Sequence, residues 1–460
     1  LFDAVLFDLD GTLVATDRFW VDAAREGARR AFAELEIERE MPTREQWMNL
    51  VGMPLALGFD QLFADLPPKA RRLVYARCVE EENRALRAGQ AALLPGVEST
   101  LAELRERGVR LGLASNCGQD YLDTMMHELG LARFVEQARC LDTPRMQSKG
   151  GMVGDLLETF GTRAAVMVGD RLGDRDAAWE NGVPHVHLAR GFAQPNEDVP
   201  CEAVIEGIGD LLPRLEKRAQ WIADALDRLG FANGSDKSAS SASSKPTTAN
   251  APVPSGPSGP SASASSSPSA AAPRTLGVTG HSGSGKTIFA RDAAMILRSR
   301  GRAASVVALD DFLKQEAQAV DLTSTAFVPV ERALDHLSHA FDVEELVQRV
   351  LEPHARGESI AFERGAARVE IPAGAVLILQ GLFLLHPALR PRLERVVHLE
   401  VSESQSLRRV AGRDARKQGP ESVLRVRRHF LPTQRAFDDQ IEPKKSADLV
   451  LDAENALGPG

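Results

Sequence analysis

The sequence predicts an α/β protein made of two doubly wound parallel-sheet domains joined by a disordered linker. Three observations lead there. Short apolar runs ending in polar or glycine-rich loops recur in both halves of the chain, which is the pattern of buried parallel strands carrying functional loops at their carboxyl ends. At 460 residues the chain is too long for a single hydrophobic core. Between about Gly230 and Pro273 it collapses into Ser, Ala, Pro and Gly, as in SASSASSKPTTANAPVPSGPSGPS, with almost no side chain able to join a core.

These features divide the chain into a first domain at 1–230, a linker at 231–273 and a second domain at 274–460. A flexible coil of the linker's length spans roughly 35 Å, so the two domains are expected to move independently. Composition is that of a globular protein, with 43% hydrophobic and 26% charged residues. The first domain carries 27 Lys and Arg against 38 Asp and Glu, and the rest of the chain is close to neutral, so neither domain has the basic excess of a nucleic-acid binder. No apolar run is long enough to span a bilayer, and the chain opens into a strand without a signal-peptide pattern. Cys78, Cys117, Cys140 and Cys201 have neither metal-site nor disulfide-framework spacing, which fits reduced thiols and a cytoplasmic location.

In the first domain the apolar AVLF runs into DLDGTLV and places Asp8 and Asp10 at the end of a strand. Two carboxylates this close repel each other unless a divalent cation sits between them, the alternative being an aspartate turn eased by Gly11. VRLGLASN then delivers Ser115 and Asn116 after a second strand, MQSKGG delivers Lys149 ahead of a helix, and AAVMVGDRLGD delivers Asp170 and Asp174. This constellation resembles the haloacid dehalogenase superfamily of phosphohydrolases, whose fold is a Rossmann-like sheet. The resemblance makes Asp8 the nucleophile that forms an aspartyl-phosphate and Asp10 the general acid and base. It gives Ser115 and Lys149 the transferring phosphoryl group, and it gives Asp8, Asp170 and the Asp10 carbonyl a Mg²⁺ ion. Asn116 and Asp174 stand behind these groups. The chain departs from the family where a Lys-Pro pair is common and Lys149-Gly150 is found.

Helical spacing in Trp20, Ala24, Ala28, Ala31 and Leu35, and again across PPKARRLVYARCVEEENRALRAG, marks a helical cap at about 15–95. The placement resembles the phosphoglycolate phosphatase and β-phosphoglucomutase branch, in which a cap closes over a small substrate and excludes water. Val51 stands where mutases of that branch carry an arginine for a second phosphate, which favours hydrolysis.

The second domain opens with RTLGVTGHSGSGKTIFARDAAMIL, a strand, a glycine-rich loop and an amphipathic helix. Gly280, Ser282, Gly283, Ser284, Gly285, Lys286 and Thr287 lie in a G-x-x-x-x-G-K-[ST] phosphate-binding loop, where backbone N–H groups cradle phosphates, the lysine reaches the terminal ones and the threonine hydroxyl can ligate Mg²⁺. ASVVAL leads to Asp310 and Asp311, SESQSLRRVAGRDARKQG is basic and helical in pattern, and FDDQIEPKKSADLVL closes the domain. The order resembles the uridine kinase and phosphoribulokinase group of P-loop kinases. By that resemblance ATP is the donor, Asp310 accepts the proton of a small-molecule hydroxyl, Arg409 and Arg413 close from a lid onto the phosphates, and Asp311 supports the metal. Two departures stand out. Gln380, in VLILQGLFLL, replaces the strand-end glutamate of uridine kinases, and the domain holds neither Tyr nor Trp.

The whole chain thus reads as a bifunctional enzyme of small metabolites, a Mg²⁺-dependent phosphomonoester hydrolase joined to an ATP-dependent kinase, with no nucleic-acid or membrane partner. The competing readings are a phosphatase regulated by a catalytically weak ATP-binding domain and a polynucleotide 5′-kinase/3′-phosphatase.

Overall fold

The computed structural model describes residues 2–194, 197, 199–231, 272–314, 337, 340–364, 367–419 and 421–454, so nearly all of the expected linker lies outside the described residues. Each half is built on a parallel sheet. In the first, β1 (Ala4–Phe7), β2 (Arg110–Ala114), β3 (Gln137–Arg139), β4 (Ala165–Gly169), β5 (His185–Leu188) and β6 (Ala203–Ile205) lie in the order β3-β2-β1-β4-β5-β6. The strand that ends at Asp8 is central, flanked in parallel by β2 and β4, because its run AVLF is apolar at every position and fully buried on both faces.

Four helices are inserted after β1: α1 (Trp20–Glu34), α2 (Arg44–Met48), α3 (Leu55–Leu62) and α4 (Pro68–Arg87). All four fall within residues 15–95, where the helical cap was expected. α1 and α4 pack along their length, and Trp47, Phe59 and Phe63 close the aromatic core of the insertion. The sheet is then covered by α5 (Val97–Glu106), α6 (Gln119–Glu128), α7 (Lys149–Phe160), α8 (Leu172–Glu180) and α9 (Leu211–Arg228).

In the second half, β7 (Thr275–Gly280), β8 (Ala304–Ala308), β11 (Val376–Gln380), β12 (Arg395–Glu400) and β13 (Leu449–Asp452) form a sheet in the order β13-β12-β7-β11-β8, parallel throughout. The segment around Ala361–Glu370 forms a separate antiparallel pair, β9 (Ile360–Arg364) and β10 (Ala367–Ile371). α10 (Lys286–Ser299) follows the glycine-rich loop; α11 (Glu403–Gln418) and α12 (Leu431–Ile441) flank it. Among the described residues no helix is long and apolar enough to cross a membrane.

The expectation of independently moving domains is overturned by α9. Its first turns give Leu211, Leu212 and Leu215 to the core of the first domain, while Ile222, Ala225 and Leu226, continued by Leu229 and Phe231, enter one apolar cluster with Leu276, Val278, Phe289 and Ala293 of the second. An 18-residue helix is about 27 Å long, enough to reach past one sheet to the next. Trp221 meets Phe289 edge-on at 5.7 Å between ring centroids. At the centre of this contact the Arg218 guanidinium donates to Asp292 of α10 from Nε at 2.9 Å and Nη2 at 2.6 Å, with both side chains excluded from water.

Removing one partner of a buried ion pair leaves the other charge uncompensated, so Asp292→Ala is expected to lower unfolding stability by about 3–5 kcal/mol. The combined change Arg218→Met with Asp292→Leu should cost less than the single substitution. Denaturant melts of the intact chain check this; a loss below 1 kcal/mol in Asp292→Ala would remove the pair from the interface's energetics.

Candidate functional site

The strand ends of the first sheet converge on one buried cluster. Lys149, the first residue of α7, donates from Nζ to Asp8 Oδ1 and to Asp174 Oδ1, each at 2.6 Å. Ser148 caps this helix by accepting from the Gly151 N–H, which fixes where Lys149 starts. At the Gly150 that departs from the family pattern, a Cβ would meet the Glu180 carboxylate, the movable end of a side chain on α8. Asp174 Oδ2 accepts the N–H groups of Asp170 and Arg171 and so ties the β4–α8 turn to the lysine. Asp170 accepts from the Thr12 hydroxyl and the Phe192 N–H.

Electrostatics follow from burial. Desolvation drives the Asp8 carboxyl well above its usual range, Lys149 pulls it back, and Asp174, Asp170 and Asp10 push it up again. Desolvation, then Asp174, raise Asp170 to about 7. Burial opposes ionisation of Asp174 too, but the charge and hydrogen bond of Lys149 leave it below the usual range. Burial works against the Lys149 ammonium, yet its two carboxylate partners raise it overall.

Oxygens of Asp8, Asp170 and Asp174 lie within 4.8 Å of one another, and the buried Asp8 Oδ2 has no hydrogen-bond partner. Three carboxylates against one ammonium, with one oxygen unpartnered, is a donor set that fits a hard divalent cation. The structure thus brings Asp8, Lys149, Asp170 and Asp174 together. The Asp10 carboxylate faces elsewhere, its Oδ1 accepting from Thr16 Oγ1 and from the Tyr121 hydroxyl at 2.6 Å each. Ser115 is buried at the end of β2, and Asn116 donates to the Gly52 carbonyl of the cap at 3.0 Å. Arg171 reaches the Val51 carbonyl at 2.5 Å, a second tie between cap and sheet. Between them lies a narrow cleft of about 30 Å³ lined by Asp10, Trp20, Val51, Glu82, Ser115 and Tyr121 among others, with no Lys or Arg among the described residues of its lining.

In the second domain the loop turns through Gly280, Gly283 and Gly285, all at positive φ. Lys286, at the start of α10, donates to the Gly280 and His281 carbonyls at 3.0 and 2.7 Å. Burial lowers it to about 8, with Asp310 raising it and Arg413 lowering it. Ser282 is held by Gln434 of α12, which accepts its N–H at 2.9 Å and donates to its hydroxyl at 3.1 Å, and the buried Ser284 belongs to the same turn. The Thr287 hydroxyl donates to Gln380 Oε1 at 3.3 Å. Asp310 is exposed at the end of β8, and Asp311 accepts the Ala308 N–H. Arg409 is 7% exposed and donates to the carbonyls of Gly283, Ala453 and Glu454, whereas Arg413 is exposed.

Residues 5–188 match the family of haloacid dehalogenase-like hydrolases. The chain is 26% identical over 219 residues to a phosphoglycolate phosphatase of Agrobacterium fabrum, covering 46% of this chain and 91% of that protein. It is 29% identical over 221 residues to a phosphoglycolate phosphatase of Rhodospirillum rubrum, covering 45% and 88%. The crystal structure of a predicted phosphatase from Clostridium acetobutylicum aligns with a TM-score of 0.41 at 19% identity, over 47% of this chain and 99% of that one.

Sequence patterns did not single out Tyr121, Thr16 or Glu82. Tyr121 and Glu82 sit on helices whose amphipathic spacing accounts for them without chemistry; Thr16 follows the DxDGT run closely enough to have been suspected. Glu82, on α4, is buried in the cap and lines the cleft. Burial and, after it, the Asp10 charge raise it to about 8 against a hydrogen bond from Trp20.

A carboxyl whose folded pKa exceeds its unfolded value loses stability as pH rises, because the unfolded chain ionises first. Its penalty is absent below about pH 4.5 and complete near pH 8. Glu82→Gln, which keeps shape and removes the ionisation, is therefore expected to gain stability over the parent progressively across that window. Thermal melts at pH 5, 6, 7 and 8 give the difference; a constant or shrinking gap would show that Glu82 is not held neutral.

Proposed function

Starting from a haloacid dehalogenase-like hydrolase domain in the N-terminal half, we propose that the protein hydrolyses a small phosphomonoester with Mg²⁺, using Asp8 as nucleophile. The carrying observation is the asymmetry of the Asp8 carboxylate, with Oδ1 anchored by Lys149 and Oδ2 buried without a partner. Oδ2 attacks phosphorus, its new P–O bond forming as the bond to the substrate oxygen breaks, and Asp10 gives the leaving alkoxide a proton. Burial, the larger influence, raises the Asp10 pKa despite Thr16 and Tyr121, which suits a group that carries this proton. Water then attacks the aspartyl-phosphate, returning its proton to Asp10 and releasing inorganic phosphate. Ser115 and Lys149 hold the phosphoryl oxygens. Mg²⁺, held by Asp8 and Asp170 with the Asp10 carbonyl, supplies charge neutralisation to the phosphoryl group when bound. The relatives are named for phosphoglycolate, but a cleft whose lining holds no basic side chain offers no cationic partner for a second anionic group and suits a monophosphate whose remainder is uncharged.

Asp8→Asn should reduce hydrolysis of p-nitrophenyl phosphate by about three orders of magnitude or more, with the circular dichroism spectrum unchanged. Activity within tenfold of the parent would remove Asp8 from the chemistry.

For the second domain the reading is ATP binding on Gly280–Thr287, with phosphoryl transfer to a small-molecule hydroxyl deprotonated by Asp310. What supports it is the loop's position after β7, the middle strand of a β13-β12-β7-β11-β8 sheet where strand connections diverge to either side, together with the start of α10 at Lys286. A second reading, a nucleotide-binding domain that regulates the phosphatase, draws on Gln380: at 3.3 Å from the Thr287 hydroxyl it offers a neutral oxygen where a carboxylate would add charge for Mg²⁺. Gln380→Glu is expected to raise ATP turnover severalfold at limiting Mg²⁺ if the domain transfers phosphate. Equal or lower turnover, followed by ADP release, would favour the regulatory reading.

A further inference from the structure

The glycine-rich loop does not open onto bulk solvent on every side. A cleft of about 230 Å³ separates it from the first domain, lined by Gly283, Gly285, Lys286, Thr287, Arg409 and Arg413 on one wall and by Trp179, Gly182, Val183 and Glu202 on the other. We propose that this cleft is a composite nucleotide site, with the triphosphate of a Mg²⁺-nucleotide on the loop and its nucleoside against the first domain, and that its occupancy alters the phosphatase centre through α8. The proposal rests on the reading of the loop as a phosphate site.

One observation points to a ligand independently of the loop. Arg409, 7% exposed and lining the cleft, has a buried Nε without a hydrogen-bond partner, 3.7 Å from Glu202 Oε1 of the opposite wall. The two walls are also locked close by: a Cβ on Gly412 of α11 would lie 2.2 Å from Trp179 Cε3, so only glycine allows this approach.

The connection to the phosphatase centre is short and made of directed bonds. Arg409 donates to the loop carbonyl of Gly283 and faces Glu202; Glu202 accepts the Trp179 indole N–H at 2.9 Å. Trp179 is near the end of α8, a helix of nine residues spanning about 13 Å, whose third residue is Asp174. Asp174 in turn fixes Lys149 against Asp8. A phosphate that engages Arg409 competes with Glu202 for it, and any shift of Trp179 is passed along a rigid helix to the group that holds the nucleophile. Coupling of this kind is a difference in binding free energy between two arrangements of α8 and acts in both directions.

The test uses the intact chain with Mg²⁺. Calorimetric titration with the non-hydrolysable analogue adenylyl imidodiphosphate and with inorganic tripolyphosphate is run on the parent, Lys286→Ala and Gly182→Phe. A Cβ at Gly182 meets nothing within 4 Å, but the residue sits at φ +69°, where a side chain strains the backbone, so Gly182→Ala is carried alongside as the control for that strain. The nucleotide is expected to bind the parent, to be lost in Lys286→Ala, and to bind Gly182→Phe about tenfold or more weakly, while tripolyphosphate binds Gly182→Phe as it binds the parent, which also shows that variant to be folded. Saturating nucleotide should change kcat/KM for p-nitrophenyl phosphate about fivefold or more in the parent and leave it unchanged in Lys286→Ala. Absence of binding by either probe overturns the phosphate-loop reading and the inference with it. Nucleotide binding that is lost in Lys286→Ala but indifferent to Gly182→Phe overturns the composite site alone. Sensitivity to Gly182→Phe with an unchanged phosphatase rate overturns the coupling.

Discussion

The Lys149 ammonium between Asp8 and Asp174 is the contact on which the first domain's chemistry depends. Carboxylates buried beyond reach of water are tolerable only when charge and hydrogen bonds replace their hydration. One lysine satisfies two of them and leaves the cluster short of positive charge, which is the condition under which a divalent cation is held firmly. The same lysine anchors one Asp8 oxygen and leaves the other without a partner. Three separate chain segments have to arrive correctly for this: the end of β1, the capped start of α7 and the β4–α8 turn.

Those arrivals explain what was legible in the sequence. A buried parallel strand announces itself as an unbroken apolar run, and the polar residue that ends it falls by geometry at the sheet's carboxyl edge. Asp8, Ser115, Asp170, the loop beginning at Gly280 and the strand ending at Gln380 could all be placed that way, and β1, β2, β4, β7, β8 and β11 lie where the apolar runs put them. Asp174 was readable as a nearby acid but not as the anchor of Lys149, since a bond between residues 25 apart leaves no local trace. The cap helices were legible from their 3.6-residue spacing. The face they turn to the substrate was not, because Glu82 and Trp20 fit an amphipathic pattern whether or not a cleft lies beside them.

The arrangement of the two domains was hidden for a different reason. The apolar stripe of α9 predicts that the helix is buried on one side, and nothing in periodicity says against which sheet. Arg218 and Asp292 each read as surface charges until α9 and α10 are brought together. Likewise the basic pattern around Arg409 suggests a lid poised over phosphates, but in the structure that guanidinium is occupied by the backbone carbonyls of the loop and of the chain after β13. An arginine so held stiffens the loop it touches, and its engagement with phosphate would require only its remaining Nε face.

Docking of the domains constrains how two opposed chemistries, phosphate removal and phosphate addition, could coexist. The cap cleft and the interdomain cleft have no lining residue in common. The two clefts are thus separate pockets of the structure. What the two sites do share is α8, with Asp174 near its start and Trp179 near its end. A rigid helix cannot carry a metabolite, but it can carry a displacement of a few tenths of an ångström, and hydrogen bonds of 2.6 Å around Lys149 are sensitive to shifts of that size. The physical logic of the fusion thus favours communication over transfer of material.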